Sequence, residues 1–234
     1  VPGDTVHAFF SGGESNAGNI IRNSFHDSTD ADENELFLRY YLKFRSNFTT
    51  SGNADDNGKI PGLAGTHRAG AGGYWPNTSD SLGWSARLVW GHHRTEPQDT
   101  LWLFSYLYHL DQRETGDPGG STGDHEPHDA NGNADYSRAP MVFRDQWYRI
   151  EQRVKMNSYY NIPGYVRADT NGLTEVWING EKQDVMCRYD LAFTVSDTVR
   201  INRLWADVYY GGSMASPADN YLYLDDFYLA DQPS

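Results

Sequence analysis

Three short stretches place cations and phenols where proton transfer beside a carboxylate would need them. Gly58-Lys59-Ile60-Pro61-Gly62 sets one lysine between glycines and a proline. That context predicts a constrained, loop-like backbone that aims a fixed ammonium into a cleft; the plain alternative is a solvated turn lysine. Ser85 and Arg87 lie two apart in an alternating run, so a strand sets a hydroxyl and a guanidinium on one face. The planar fork of an arginine can take a carboxylate with two parallel hydrogen bonds; an exposed strand arginine is the alternative. Tyr106 and Tyr108 share a strand face by the same spacing. Two such tyrosines are most often packing residues, but a phenol can also act as general acid or base. Its free pKa, about 10, then has to be lowered by a nearby Lys or Arg.

Other side chains are weighed around these three. His67 follows Lys59 by eight residues and is a candidate to line the same cleft, as are His92 and Arg94 just past the Arg87 run. His125-Glu126-Pro127-His128 has the residue types of a metal site. It lacks a second ligand pair at a diagnostic spacing and reads better as part of an acidic loop. Arg149, Arg153 and Lys155 share one face of a further alternating run. With Trp177 they are expected to form a groove for an anionic sugar chain, the alternative being an ordinary solvated sheet face. Asp225-Asp226 offers hard oxygen ligands and is a candidate site for a structural Ca²⁺. The lone Cys187 permits no internal disulfide and is expected to be a small buried hydrophobe.

These residues need strands to position them, and period-2 patterns dominate the chain. From Leu36 to Arg45 the even positions are apolar while Arg39, Lys43 and Arg45 fall on odd ones. Trp84, Ala86, Leu88 and Trp90 alternate with Ser85 and Arg87. In 101–109 both faces carry large side chains, as in a central strand of a layered sheet. Runs at 147–157, 174–180, 201–210 and 221–229 complete the set, the second entering an Asn-Gly turn. Helical patterns are scarce. The expected fold is all-β: a single-domain jelly roll, or β-sandwich, of two curved antiparallel sheets over residues 1–234, with 111–140 as one long polar loop.

Composition narrows the function classes. The chain has 234 residues and a net charge of -13, from 19 Lys+Arg against 32 Asp+Glu. Nucleic acid is therefore an unexpected partner. No run reaches the roughly 18 apolar residues of a membrane helix, so no membrane partner is expected, and an aromatic content of 14% is too high for a disordered acidic chain. The start at Val1-Pro-Gly-Asp suggests a mature secreted protein, and a monomer is expected. Acidic residues concentrate at 27–35 and 111–135 while cations recur on strand faces, so a basic cleft on an acidic protein is the anticipated pattern.

The order KIPGL (59–63), SARLVW (85–90) and YLY (106–108) resembles polysaccharide lyase family 14, the alginate-lyase-like family. WYRIEQRVKMN (147–157), EVWING (175–180), VYYGG (208–212) and YLDDF (223–227) are similar to its later strands. The segment GHHRTEPQDT (91–100) is longer than the family pattern. The resemblance implies a jelly roll that cleaves uronate polymers by β-elimination, with functional positions at Lys59, Ser85, Arg87, Tyr106 and Tyr108. In that scheme Arg87 or Lys59 neutralises the uronate carboxylate. A tyrosine takes the C5 proton, and a tyrosine returns one to the leaving O4 oxygen. Which tyrosine does which is open, and no cofactor is required. The implied substrate is an acidic 1,4-linked uronan, alginate (poly-mannuronate) first and glucuronan second. A non-catalytic lectin-like module on the same fold is the alternative of another class. A glycoside hydrolase would need two carboxylates, for which Glu151 and Glu175 are the candidates.

Overall fold

The computed structural model describes residues 6–10, 12–13, 18–24, 33–51, 56–66, 83–93, 97, 100–110, 123–163, 165–195, 199–211 and 215–232. His67 and Arg94 lie outside the described residues. The strands run β1 (Val6–Phe10), β2 (Gly18–Ser24), β3 (Glu35–Phe44), β4 (Asp56–Thr66), β5 (Gly83–His92), β6 (Thr100–Tyr108), β7 (Asp124–Glu126) and β8 (Met141–Phe143). The second half adds β9 (Tyr148–Lys155), β10 (Tyr159–Ile162), β11 (Tyr165–Ala168), β12 (Gly172–Ile178), β13 (Glu181–Lys182), β14 (Arg188–Leu191), β15 (Arg203–Tyr210) and β16 (Asn220–Ala230). A single 3-10 turn, Asp184–Met186, is the only helical element among these residues.

Two seven-stranded antiparallel sheets face each other in a jelly-roll sandwich. The first has the order β1-β16-β3-β9-β12-β13, with β14 beside β12; the second has β2-β15-β4-β5-β6-β7, with β8 beside β6. The first two strands pair with the last two, β1 with β16 and β2 with β15, so the ends of the described chain take part in both sheets. Alternation decides what each strand buries. On β3 and β9 every second residue is buried, which points Leu38, Tyr40, Leu42, Ile150 and Val154 inward. They meet Trp84, Ala86, Leu88 and Trp90 of β5 and Leu101, Leu103 and Leu107 of β6. Each such side chain removed from water contributes roughly 1.5–3 kcal/mol before entropy is counted. One end of the core is aromatic, with the Phe48 ring 5.0 Å from Phe44 and 5.1 Å from Trp90, and Trp90 5.0 Å from Tyr210.

Polar hooks cross this core and end on the backbone of β4 and β5. The Tyr40 hydroxyl donates to the Pro61 carbonyl at 3.2 Å, and Gln152 Nε2 donates to the Ala86 carbonyl at 3.1 Å. From β6, Ser105 Oγ donates to the Met186 carbonyl at 2.7 Å. The sheet that holds Lys59, Arg87 and Tyr106 is thereby tied to the sheet behind it.

Two expectations are corrected. Lys59 is on a strand, not in a loop. Its Gly-Pro-Gly surroundings belong to a β-bulge between Ile60 and Gly62 in the β4–β5 pairing. A bulge tolerates a proline because the ladder is already interrupted there. The polar stretch 111–140 is also not one loop, since its described part begins with β7 paired to β6. Residues 127–140 then fold back on Asx-type hydrogen bonds. Asp129 Oδ1 accepts the N–H groups of Asn131 and Asn133 at 2.8 and 2.9 Å, and Arg138 reaches the His128 carbonyl at 2.7 Å. Local side-chain bonds of this kind leave no trace in hydrophobic periodicity. Tyr136 pins the stretch by packing 5.0 Å from Phe104 and 5.7 Å from Trp102.

Candidate active site

The outer face of the second sheet gathers the three stretches singled out from the sequence. β5 and β6 are buried on both faces, with residues 84, 86, 88 and 90 in the main core and Val89, Phe104, Tyr106 and Tyr108 in a separate cluster. Strand pairing sets Arg87 opposite Tyr106 and Ser85 opposite Tyr108. Further pairings extend the Arg87 row to Trp205, Gly62, Arg87, Tyr106 and His125 across five strands. Lys59 pairs with Val89 on one side and Tyr209 on the other.

Gly62 is what lets this row close. A Cβ there would run into the Ala86 carbonyl oxygen and lie 2.5 Å from Arg87 Cα. With no side chain between them, the Arg87 guanidinium lies over the Trp205 ring, 4.6 Å from its centroid. Asp207 Oδ2 is 3.9 Å from Arg87 Nη1. Arg87 is therefore held by a ring and a carboxylate while its Nε has no hydrogen-bond partner among the described residues. Ser85 Oγ is also buried and unpaired among the described residues. Buried donors left open in this way are unusual in a purely structural role.

Lys59 Nζ sits 3.3 Å from the centroid of the Tyr106 ring. Burial, and then the charge of Arg87, lowers its proton affinity well below that of a free lysine, while Asp207 acts in the opposite sense. The two phenols touch through their hydroxyls at 3.1 Å. The Gly123 N–H donates to the Tyr106 oxygen at 2.9 Å, so that oxygen is met by a backbone donor as well as by Tyr108. Burial raises the pKa of Tyr108, its neighbour Tyr106 adds to that and Arg87 opposes it, so the net change is opposite to the lowering expected from the sequence and favours Tyr108 as a proton donor. His125 packs against Tyr106 with ring centroids 4.9 Å apart. Burial and the Lys59 charge push its pKa down to about 3, so it is a neutral imidazole at ordinary pH.

Lys59, Ser85, Arg87, Tyr106 and Tyr108 thus come together. His92 is fully buried at the end of β5, with its ring 6.2 Å from Trp102 and its pKa lowered chiefly by burial; it is not part of the Arg87–Tyr106 row. Arg149, Arg153, Lys155 and Trp177 are on β9 and β12 of the first sheet, facing away from the core. They lie on the far side of the sandwich from Lys59. Arg153 there is engaged by Glu35 at 2.6 Å and Glu175 at 2.7 Å. Asp225-Asp226 falls at a bulge in the β16–β3 pairing, with Asp226 Oδ2 3.5 Å from Arg39. Among the described residues no group of three or more His, Cys, Asp or Glu side chains is arranged to hold a metal ion. Cys187 is only partly buried, and its Sγ accepts the Val176 N–H at 3.5 Å.

Sequence reasoning missed Trp205, Asp207 and Tyr209, although their spacing in 201–210 places them on one strand face. It also set His125 aside as a loop residue. What was lacking is the pairing of β15 with β4 and of β7 with β6, which no local pattern announces.

Solved structures with the same sandwich include the alginate lyase vAL-1 from Chlorella virus, at 22% identity and a TM-score of 0.66 over 97% of this chain and 85% of that one. The marine alginate lyase from Aplysia kurodai is 18% identical, with a TM-score of 0.65 over 97% and 83%. The alginate lyase Aly36B is 22% identical, with a TM-score of 0.64 over 96% and 80%. No curated protein matches the chain. The sequence model of polysaccharide lyase 14 matches residues 6–227, and the chain belongs to that family of polysaccharide lyases.

Proposed function

We propose that the protein depolymerises an acidic 1,4-linked uronan by β-elimination, alginate rich in mannuronate being the first substrate and glucuronan the alternative. The observation that carries this reading is the convergence of Lys59, Arg87 and the Tyr106–Tyr108 hydroxyl pair on one sheet face. The C5 proton of a uronate is weakly acidic while its carboxylate keeps full charge. Arg87 is suited to take that carboxylate and spread the charge of the developing enolate. Ser85, beside Tyr108 on the neighbouring strand, offers a further donor. The linked phenols then supply proton transfer, one taking the C5 proton and one returning a proton to the O4 leaving oxygen.

A second assignment of roles is favoured by one observation. The surroundings of Lys59 disfavour its ammonium form, so Lys59 is also suited to act as a neutral amine base, with a protonated tyrosine as the acid. A lectin has no use for a depressed lysine beside paired phenols. The glycoside hydrolase alternative loses its carboxylates, because Glu151 and Glu175 lie on the other sheet and Glu175 is held by Arg153 and Lys182.

The test is the ultraviolet absorbance of the unsaturated uronate that elimination creates, followed on poly-mannuronate, poly-guluronate, mixed alginate and glucuronan. Absorbance should rise on at least one of them. Tyr106→Phe or Tyr108→Phe should lower kcat by roughly 10²–10⁴-fold. Binding of a uronan with no absorbance change on any substrate would overturn the lyase reading in favour of the lectin.

A further inference from the structure

The outer face of the first sheet, across the core from Lys59 and Arg87, carries a depression of about 280 Å³ walled by Phe37, Arg39, Arg149, Glu151, Trp177 and Tyr228. Its shape is fixed by the turn after β12. Asn179 and Gly180 both have positive φ, 54° and 83°, and a Cβ on Gly180 would sit 2.8 Å from Arg149 Nη2. The glycine therefore lets the Arg149 side chain lie against the turn, while Asn179 Oδ1 accepts the Arg149 N–H at 2.9 Å.

The two arginines of the depression are loosely partnered. Arg39 lies over the Tyr228 ring, 4.9 Å from its centroid, with Asp226 3.5 Å away. Arg149 Nε is 3.1 Å from Glu151 Oε2. Both Nε atoms are buried, and the Arg149–Glu151 contact is an ion pair without hydrogen-bond geometry. The acids partner these guanidinium groups at the surface, the Asp226 side chain being 62% exposed.

A track of further cation–aromatic pairs leads away from the depression along β3 and β16. Lys43 Nζ is 5.4 Å from the Trp147 ring centroid and 5.3 Å from that of Tyr223. Arg45, just past β3, lies over Tyr221 at 5.1 Å. From Arg39 to Arg45 the extended chain covers roughly 20 Å. Trp147 and Tyr228 are each 42% exposed, and exposed apolar surface rimmed by polar groups marks binding sites. Aromatic faces suit the C–H faces of sugar rings, and the cations beside them suit carboxylates.

We infer that this face is a second, non-catalytic binding site for acidic polysaccharide. It takes one uronate ring in the depression and further rings along the β3–β16 track. The inference rests on the uronan reading of the catalytic face. The site would hold polymer to the enzyme without contributing to turnover of fragments too short to reach round the sandwich.

The test is native gel electrophoresis through alginate, with a neutral polysaccharide as control, on the parent protein and on Tyr228→Ala and Arg39→Ala. Thermal unfolding checks the fold of each variant, and Arg39→Gln replaces any that fails. Each variant should bind polymer about five- to tenfold more weakly. KM for polymer should rise in proportion, and turnover of a uronate trimer should stay at the parent level. Parent-like retardation of both folded variants would overturn the second site. If the parent eliminates no uronan, the lyase reading fails, but variant-sensitive retardation in alginate still supports this binding face. Retardation in no acidic polysaccharide overturns it.

Discussion

Lys59 stands between two chemical roles, and its surroundings weight them. Burial and Arg87 disfavour its charge while Asp207 favours it. As a cation it would neutralise the uronate carboxylate; as an amine it would take the C5 proton. Arginine in its place keeps the charge and cannot accept a proton at working pH. Lys59→Arg is expected to lose roughly 10²–10⁴ in kcat, as much as Lys59→Ala. Retention within about tenfold would return Lys59 to the role of counter-ion. His125 makes a separate prediction about stability. Its pKa falls from 6.5 to about 3 on folding, so between those values the unfolded chain binds the proton and the folded one does not. Stability contributed by the neutral ring is full above pH 6.5 and is lost as pH falls towards 3. In urea titrations across that window His125→Gln should lose less stability with falling pH than the parent. Parallel pH profiles would show that His125 does not titrate as described.

The proposed catalytic face depends on how closely β4 and β5 approach at Gly62. A methyl group there meets the Ala86 carbonyl and Arg87 Cα, both backbone, so the strands rather than a flexible side chain must give way. Gly62→Ala is expected to cost about 3 kcal/mol in chemical denaturation. It should also reduce kcat, because Arg87 loses its path over β4 to Trp205. An active variant of unchanged stability would refute the close approach. The same region shows how far the sequence could be read. Alternation in β3, β5, β6 and β9 was legible, because half-buried strands must repeat every two residues. Ser85 with Arg87 and Tyr106 with Tyr108 followed directly, each pair being local to one strand. The bulge at Pro61 was misread as a loop, because glycine and proline mark both. Asp207 over Arg87 required long-range pairing between β15 and β4. Arg149 and Trp177 were correctly placed on a polar strand face, but periodicity alone cannot say which of two sheets that face belongs to.

The whole molecule sets a long-range field against a short-range one. A chain of net charge -13 repels a polyuronate, yet Lys59 and Arg87 lie together on the face where we propose that the uronate carboxylate binds. The ranges of the two effects differ, and salt separates them. At about 0.01 M ionic strength the screening length is about 30 Å, so acidic residues across the molecule oppose the approach of the polymer. At about 0.15 M it is about 8 Å, which silences distant charge and spares contacts inside a buried site. Near 1 M it is about 3 Å, and pairing with the carboxylate also weakens. Plotted against sodium chloride, kcat/KM on polymer should therefore rise, pass through a maximum and fall. A uronate trimer carries fewer charges into the long-range field and should show a shallower rise with a similar fall. A steady decline from the lowest salt, for polymer and trimer alike, would mean that local attraction governs encounter as well as binding, and that the acidic exterior plays no part in the kinetics.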